Sequence, residues 1–426
     1  MDRQSGLGLD DMQARQDHGG EPPEDVVLEP LADYPRIDLR GSGEPWAKRR
    51  AAGKTLREAV PHAGHGTLDL PEDRPDPVSL IERAHQGRQP DLIPLRVARM
   101  ASSPFAFLRG AAHVMAWDLA RTPTSQISVV MNGDAHISNF GLFGTPQRDV
   151  VLDLNDFDEV TVGPWEWDLK RLAASIEVAT RTDEVPADHR RRAVIAAVSG
   201  YQHTMTELAP QGSLEVWYQS TRADQLAISG IDIDADSQEV VRKAVAKARK
   251  RHNRSLLDSV AERRIDGAWR LRDDPPILTP VPDGVREAVI TGLEHYASHE
   301  GERVIYGQRL LQAVGDPLLG WTTIEGRPFY VRQMKNMKGE IPVACLRGQP
   351  LLTFSWAYGA LLARAHARTG DAAAICGYCG HDGNTDLREA IADWAQAYGD
   401  RNAADHELFR AAIASGRLEA AEDPHL

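Results

Sequence analysis

Two short apolar segments, each followed at once by polar residues, constrain the fold of this chain most. Residues 127–131 (ISVVM) and 150–154 (VVLDL) have the length and composition of buried strands. NGDAHISNF follows the first segment and NDFDE follows the second. The next segment places Leu169, Leu172 and Ile176 at helical spacing. The sequence therefore predicts an α+β protein in which two strands lead into polar turns beside a buried helix.

The first polar turn has the spacing of a kinase-type catalytic loop, D-x-x-x-x-N. Asp134 and Asn139 occupy its two fixed positions. A carboxylate at the first position can accept a proton from a substrate hydroxyl, and an amide oxygen one turn later can bind a divalent metal. Gly133 before the carboxylate allows a close chain reversal. The spacing therefore favours metal-assisted group transfer.

The second polar turn concentrates negative charge. Asp156 lies seventeen residues after Asn139, where a kinase needs a second carboxylate to hold metal against phosphates. Asp153, Asp158 and Glu159 crowd around it. Such density costs free energy through repulsion unless a cation neutralises it. An exposed acidic turn without function is the alternative interpretation.

These motifs resemble the aminoglycoside phosphotransferase branch of the kinase-like fold. The matching residues are GDAHISN, then DFD, then Gly163 and the pair Asp168-Leu169. The resemblance implies Asp134 as catalytic base, Asn139 and Asp156 as metal ligands, and Asp168 as a carboxylate that braces the loop. Mg²⁺ (or Mn²⁺) is the expected cofactor, ATP is a candidate donor, and His136 is a further candidate catalytic residue. The predicted metal ligands are Asn139, Asp156 and Asp158, and the predicted supports are Asp153 and Asp168.

A longer resemblance, over about residues 50–420, is to the bacterial domain of unknown function 2252 family. DRPDPVSLIE, RMASSPFAFLRGAAHVMAWDLA, GPWEWDLKRLAAS, GQRLLQA, FYVRQMKNMKG and IADWAQAYGDRN carry it. Usual members place a glycine-rich hairpin and a lysine-bearing strand after the catalytic-type loop, which implies circular permutation of the kinase lobes. In this chain PDGVREAVITGLEHYASHEG occupies that place, and Tyr306 stands where usual members have an acid. Because these parts hold ATP phosphates, ordinary ATP use is in question.

Basic residues elsewhere are candidates for substrate or phosphate binding. Arginine can bind phosphate or carboxylate bidentately. Structural ion pairs and buried structural roles are the alternatives for these side chains, and a surface position is the alternative for the lysine. The candidates are Arg96, Arg99, Arg109, Lys335, Arg364 and His366, with Lys338 as a second lysine that could replace the missing one.

Composition limits the function classes. The formal net charge is −13, which argues against a nucleic-acid binder because such a protein needs a positive surface. Three cysteines cannot build a disulfide framework, and no segment has the length and hydropathy of a membrane span. The start of the chain lacks the apolar region of a secretory signal. We therefore expect a cytoplasmic protein with a small-molecule partner; the oligomeric state is not predicted.

Changes in composition along the chain suggest five segments. His62 and His65 fall in the Pro- and His-rich second segment and are expected to be solvated, and Cys376-x-x-Cys379 is interpreted as a chance pair. The predicted segments are a flexible acidic arm (1–46), an extended strap (47–93), a helical lobe carrying the catalytic-type loop (94–280), a reduced small lobe with a hairpin (285–345) and C-terminal helices packing on the catalytic lobe (346–426).

Three functions are consistent with these residues. The favoured one is a metal-dependent phosphotransferase-like enzyme acting on a small molecule. The first alternative is an ATP-independent metal enzyme, such as a hydrolase, that uses the Asp and His cluster. The second alternative is a non-catalytic kinase-like protein that binds a ligand or a partner.

Overall fold

Helices and small antiparallel sheets make up an α+β fold, as the sequence predicts. The computed structural model describes residues 44–86, 88–219, 234–250, 261–263, 269–272, 300–316, 319–324, 327–332, 337–380 and 384–421. The helices are α1 Trp46–Ala59, α2 Pro77–His85, α3 Ile93–Ala101, α4 Pro104–Gly110, α5 Ala112–Leu119, α6 Trp165–Thr182, α7 Ala187–Leu208, α8 Ser213–Tyr218, α9 Ala235–Lys250, α10 Glu300–Leu311, α11 Gln349–Thr369, α12 Ala372–Cys379 and α13 Asp386–Ala414. The strands are β1 Ser128–Met131, β2 Phe140–Gly144, β3 Val150–Leu154, β4 Thr161–Pro164, β5 Ala261–Arg263, β6 Trp269–Leu271, β7 Gly320–Ile324, β8 Arg327–Val331 and β9 Gly339–Glu340.

Strand pairing brings the two polar turns together. β1 pairs antiparallel with β4, and β2 pairs antiparallel with both β3 and β9. Residues 132–139 connect β1 to β2, and residues 155–160 connect β3 back to β4. Both connections therefore cross between the same two pairs of strands. This topology places the catalytic-type loop beside the acidic turn.

Helix α6 follows β4 directly and is buried along most of its length. It lies in a continuous apolar core formed with α7, α11 and the strands. Its fully buried Trp165 stacks on Tyr201 of α7, with ring centroids 5.3 Å apart. Helices α7 and α11 approach so closely that a Cβ on Gly359 would lie 1.8 Å from the carbonyl oxygen of Ala197. Only glycine fits there, so this contact fixes how deeply α11 enters the core.

A second apolar cluster joins the N-terminal helices to the end of α13. Phe107 of α4 packs on Phe409 of α13, with ring centroids 5.3 Å apart, and both side chains are buried. Arg74 binds two buried carboxylates between the same regions, 2.6 Å from Asp118 and 2.7 Å from Asp405. The segments before and after the strands are therefore clamped together.

The structure differs from the expected extended strap over residues 47–93. Helix α1 occupies its start because the chain has no proline between Pro45 and Pro61 and is rich in alanine and charged residues that favour helix. His62 and His65 are buried rather than solvated. Both form hydrogen bonds with Tyr378, His62 with its carbonyl oxygen at 2.7 Å and His65 with its hydroxyl at 2.6 Å.

Several expectations fall on residues outside the described ranges. These include most of the acidic arm, most of the segment that replaces the glycine-rich hairpin, and the predicted Glu325-Gly326 turn between β7 and β8. The five predicted segment boundaries stay predictions. Within the described part of the chain, no helix combines the length and hydropathy needed to cross a bilayer.

Candidate functional site

The catalytic-type loop is held by one buried carboxylate of α6. Asp168 accepts hydrogen bonds from the backbone N–H groups of Asn132 at 2.7 Å and Gly133 at 2.9 Å. Gly133 has a φ of +80°, and a Cβ there would lie 2.1 Å from the carbonyl oxygen of Glu159. The sequence-predicted support by Asp168 and the predicted close reversal at Gly133 therefore act on the same turn.

Asn139 ties the loop to the acidic turn through its amide nitrogen. Its Nδ2 donates to the backbone carbonyl oxygens of Asp134 at 3.0 Å and Asp156 at 3.3 Å, and to Oδ1 of Asn132 at 3.3 Å. Asn132 also donates from its own amide to the carbonyl of Asp156. Since Nδ2 is occupied within the protein, Oδ1 is the atom that Asn139 has left for a ligand.

Asp134 is half-buried and meets one strong cation. Arg171 of α6 lies 2.6 Å from Oδ1 of this carboxylate. Burial raises the pKa of Asp134 to about 6; Arg171 opposes this rise, and the charges of Glu159 and Asp156 add to it. The carboxylate is therefore ionised at neutral pH, yet more basic than an ordinary aspartate.

His136 lies beside Asp134 as a neutral imidazole. Burial and the charges of Arg171 and Arg109 hold its pKa well below the usual value. Its Nε2 is 3.6 Å from Oδ2 of Asp134, beyond hydrogen-bond distance, and its Nδ1 has no hydrogen-bond partner among the described residues. The geometry gives His136 no proton relay with Asp134.

The acidic turn is anchored from outside by α10. Arg303 donates to the carbonyl oxygens of Val160 at 2.5 Å and Asp158 at 2.8 Å. Burial raises the pKa of the Asp158 carboxyl, and the charge of Asp156 raises it further. Arg332 and the hydroxyl of Tyr330 act in the opposite direction. Burial and the neighbouring carboxylates therefore outweigh the groups that stabilise the charged form of Asp158.

A cavity of about 1020 Å³ brings these groups to one surface. Four carboxylates, four arginines and apolar side chains of α3 line this cavity. The carboxylates are Asp134, Asp156, Asp158 and Glu159, and the arginines are Arg88, Arg96, Arg99 and Arg109. His136 and Asn139 also line the cavity. Eight of the sequence-predicted site residues therefore share one space.

One lining arginine was not among the sequence predictions. Arg88 lies in HQGRQP, between α2 and α3, and faces the same cavity as Arg96. It has no neighbouring motif, and only its closeness in sequence to Arg96 could have indicated it.

Other predicted residues are not brought to the cavity. Arg364 pairs with the buried Asp153, and His366 lies 3.1 Å from Oδ2 of Asp168. The structure instead holds both as buried partners of the supporting carboxylates, so their predicted contact with substrate or phosphate finds no counterpart in this arrangement. Asp153 also accepts a hydrogen bond from the backbone of Ala313 at 2.8 Å. Lys335 lies outside the described residues.

The donor set fits a hard divalent cation. Asn139, Asp156 and Asp158 line the same cavity and carry amide or carboxylate oxygen atoms. No group of three or more His, Cys, Asp or Glu side chains within the described ranges is arranged to hold a metal ion. Mg²⁺ needs no such cage, because it usually keeps several waters and takes one or two carboxylates together with substrate phosphates. These residues therefore suit a metal that enters with its substrate.

Comparison with known proteins gives one family. Residues 88–300 and 294–412 match a family described as an uncharacterized protein conserved in bacteria (DUF2252). A search of curated proteins found no match, and a search of solved structures found none. The matched residues include the loop, the acidic turn and all four cavity arginines.

Proposed function

This chain belongs to the DUF2252 family of uncharacterized bacterial proteins, and we propose that it is a metal-dependent phosphotransferase-like enzyme acting on a small molecule. One observation carries the proposal. Asp134 and Asn139, which are five residues apart, line one cavity with the more distant Asp156 and with four arginines. A base, oxygen ligands for a metal, and cations for an anionic substrate are the parts that phosphoryl transfer requires.

We propose a kinase-like fold, circularly permuted, as the scaffold. The order of strand, catalytic-type loop, hairpin and buried helix supports it, and the β7–β8 hairpin with α10 follows later in the chain. Tyr306, which replaces an acid of usual members, is half-exposed on α10 and packs on Trp321, with ring centroids 5.7 Å apart. A phosphate-holding pair of lysine and acid therefore has no acid at this position. The proposal accordingly does not require ATP as the donor.

In the proposed reaction Asp134 orients a substrate hydroxyl and accepts its proton. Arg171 fixes one carboxylate oxygen at 2.6 Å, which leaves the other for the substrate. Asn139 and Asp156, with Asp158 beside them, would hold Mg²⁺ or Mn²⁺, which neutralises phosphoryl oxygens when bound. Arg99 and Arg109 line the same space and would bind anionic parts of the substrate.

Replacement of Asp134 tests the proposal. Asp134→Asn keeps a hydrogen-bond acceptor for Arg171 but removes the base, so Mg²⁺-dependent transfer should fall by about 10²–10⁴-fold. Transfer is measured by ³¹P NMR with ATP or pyrophosphate as donor and pooled small-molecule acceptors. Asp91→Asn, at an exposed residue outside the cavity lining, is the matched control and should keep full activity. Full turnover by Asp134→Asn, or turnover without any divalent metal, would contradict the proposal.

A ligand-binding protein without turnover is the second candidate. The close Arg171–Asp134 ion pair favours it, because Arg171 occupies one oxygen of this carboxylate and opposes the rise of its pKa. In that case the wild type binds metal and anions, but no donor and acceptor pair gives transfer. The ³¹P experiment separates the two candidates directly.

A further inference from the structure

Two of the four arginines that line the cavity have no carboxylate partner among the described residues. Arg88 and Arg96 form no ion pair with any described residue, and their hydrogen bonds go to backbone carbonyls. Arg96 donates from Nη2 to Gly110 at 2.7 Å, and Arg88 donates from Nε to Ala84 at 3.1 Å. The buried Nε of Arg96 has no hydrogen-bond partner in the described part of the chain. Backbone contacts therefore aim these guanidinium groups without neutralising them.

Two histidines lie near these arginines. His85 of α2 and His113 of α5 each have a buried Nε2 atom with no hydrogen-bond partner among the described residues. Burial lowers the pKa of His113 to about 4, and the charges of Arg96 and Arg88 lower it further. Burial also lowers the pKa of His85, with the same two arginines acting in that direction. Two imidazoles, rather than ion-paired carboxylates, therefore lie close to these two arginines.

Two carboxylates of the cavity act on the charge of Arg96. Burial and the charge of Arg88 lower the pKa of Arg96, and the charges of Glu159 and Asp134 oppose this shift. Arg96 therefore interacts electrostatically with Asp134, the proposed base, although neither Asp134 nor Glu159 forms an ion pair with it. An anion bound at Arg96 would therefore lie within the same cavity as the hydroxyl that Asp134 would activate.

We propose that Arg88 and Arg96 form an anion subsite for a phosphate group of the substrate. This inference rests on the proposed function for the role of the subsite, but the binding itself does not need turnover. Two unpaired guanidinium groups match the charge of a phosphomonoester dianion better than that of a single carboxylate, and arginine binds phosphate oxygens bidentately. The substrate class is therefore a small molecule that carries a phosphate.

The phosphate can come from the acceptor or from the donor, and ligand pairs distinguish these sources. Isothermal titration calorimetry of the full chain with EDTA present compares glucose 6-phosphate with glucose, and ADP with adenosine. Inorganic phosphate is a third probe. We expect the phosphorylated member to bind and the other member not to bind. Binding of glucose 6-phosphate indicates an acceptor phosphate, and binding of ADP alone indicates the donor phosphate.

Variants of the subsite complete the test. Arg88→Ala removes an exposed side chain and should weaken phosphate binding by about tenfold, since hydrogen bonds to charged groups contribute about one order of magnitude or more. Arg96→Met should weaken it at least as much. Arg83→Ala, on the exposed side of α2 and outside the cavity lining, is the matched control and should bind within twofold of the wild type.

Two results would overturn the subsite. One is no binding of any phosphorylated probe at about 10 mM, a concentration that would reveal even millimolar affinity. The other is binding that Arg88→Ala and Arg96→Met leave unchanged. Because the titrations contain no divalent metal, they are independent of catalysis. Phosphate binding without turnover would contradict only the proposed function, and turnover without phosphate binding at these arginines would contradict only the subsite.

Discussion

The carboxylates of the core and those of the cavity differ in the groups that lie next to them. In the core, Asp153 pairs with Arg364 and Asp168 lies against His366, and all four side chains are buried. In the cavity, Asp156 lies beside Asp158, and burial together with the charge of Asp156 raises the pKa of Asp158. The acidic sequence LDLNDFDE supplies carboxylates to both regions.

The difference separates charges that are compensated within the fold from neighbouring like charges in the cavity. A buried charge is tolerated when a partner of opposite sign and further hydrogen bonds compensate its desolvation. Asp153 meets this condition through Arg364 and the backbone of Ala313. Asp158 instead lies beside the like charge of Asp156, and this repulsion costs stability that a bound cation would recover.

The largest expected effect comes from breaking a core pair. Arg364→Met leaves Asp153 buried without its cation, so the free energy of unfolding should fall by about 3–5 kcal/mol. Urea denaturation followed by circular dichroism measures it. Arg109→Met, at an exposed arginine of the cavity, is the matched control and should change stability by about 0.5 kcal/mol or less. Equal effects of the two variants would remove the distinction between the regions.

A buried cation extends this comparison to a side chain of positive charge. Lys170 of α6 is fully buried, its Nζ lies 4.9 Å from the ring centre of Trp394, and no described residue accepts a hydrogen bond from it. Burial lowers its pKa from 10.5 to about 8, with Glu166 opposing. Between these values the unfolded chain binds more protons than the folded chain, so this lysine makes stability rise with pH through that window.

Lys170→Met should abolish that pH dependence. The variant should be stabilised relative to the wild type most below pH 8, and its advantage should shrink by about 3 kcal/mol as the pH approaches 10.5. Denaturation curves at closely spaced pH values measure the difference. Lys54→Met, at an exposed lysine of α1, should show no such trend. A constant difference between Lys170→Met and wild type across this window would refute the assignment.

The smallest expected effect relieves repulsion in the cavity. Asp156→Asn should lower the pKa of Asp158, because the charge of Asp156 helps to raise it. Without metal the variant should gain about 0.5–1 kcal/mol in stability, and it should bind Mg²⁺ more weakly. NMR titration of the carboxyl carbons, thermal denaturation and calorimetry with Mg²⁺ measure these three quantities. Asp91→Asn is the control, and unchanged Mg²⁺ affinity in Asp156→Asn would argue against the ligand assignment.

Local spacing predicted the acidic and amide side chains of the cavity because these residues belong to two short turns. Asp134 and Asn139 share one turn, Asp156 and Asp158 share the next, and strand pairing between their flanks brings the turns together. The α+β class followed from the same local patterns, whereas the support of the loop by Asp168 was implied by the family resemblance.

Contacts between distant segments could not be predicted in this way. Arg364 and His366 share a predicted helix with no local feature that reveals whether they face a cavity or a buried carboxylate. Their partners, Asp153 and Asp168, lie about two hundred residues earlier. The burial of His62 and His65 likewise depends on Tyr378, more than three hundred residues away. Only the packed tertiary structure determines such pairings.

The contacts of Asp168 have a consequence for biosynthesis. This carboxylate accepts hydrogen bonds from the backbone of Asn132 and Gly133. It also contacts His366, which lies on a helix that is synthesised much later. A nascent chain that has emerged only as far as residue 300 carries both polar turns but lacks α11. In that chain Asp168 would hold the loop without its own contact to His366. The loop would therefore gain its full support only when the last quarter of the chain has been synthesised.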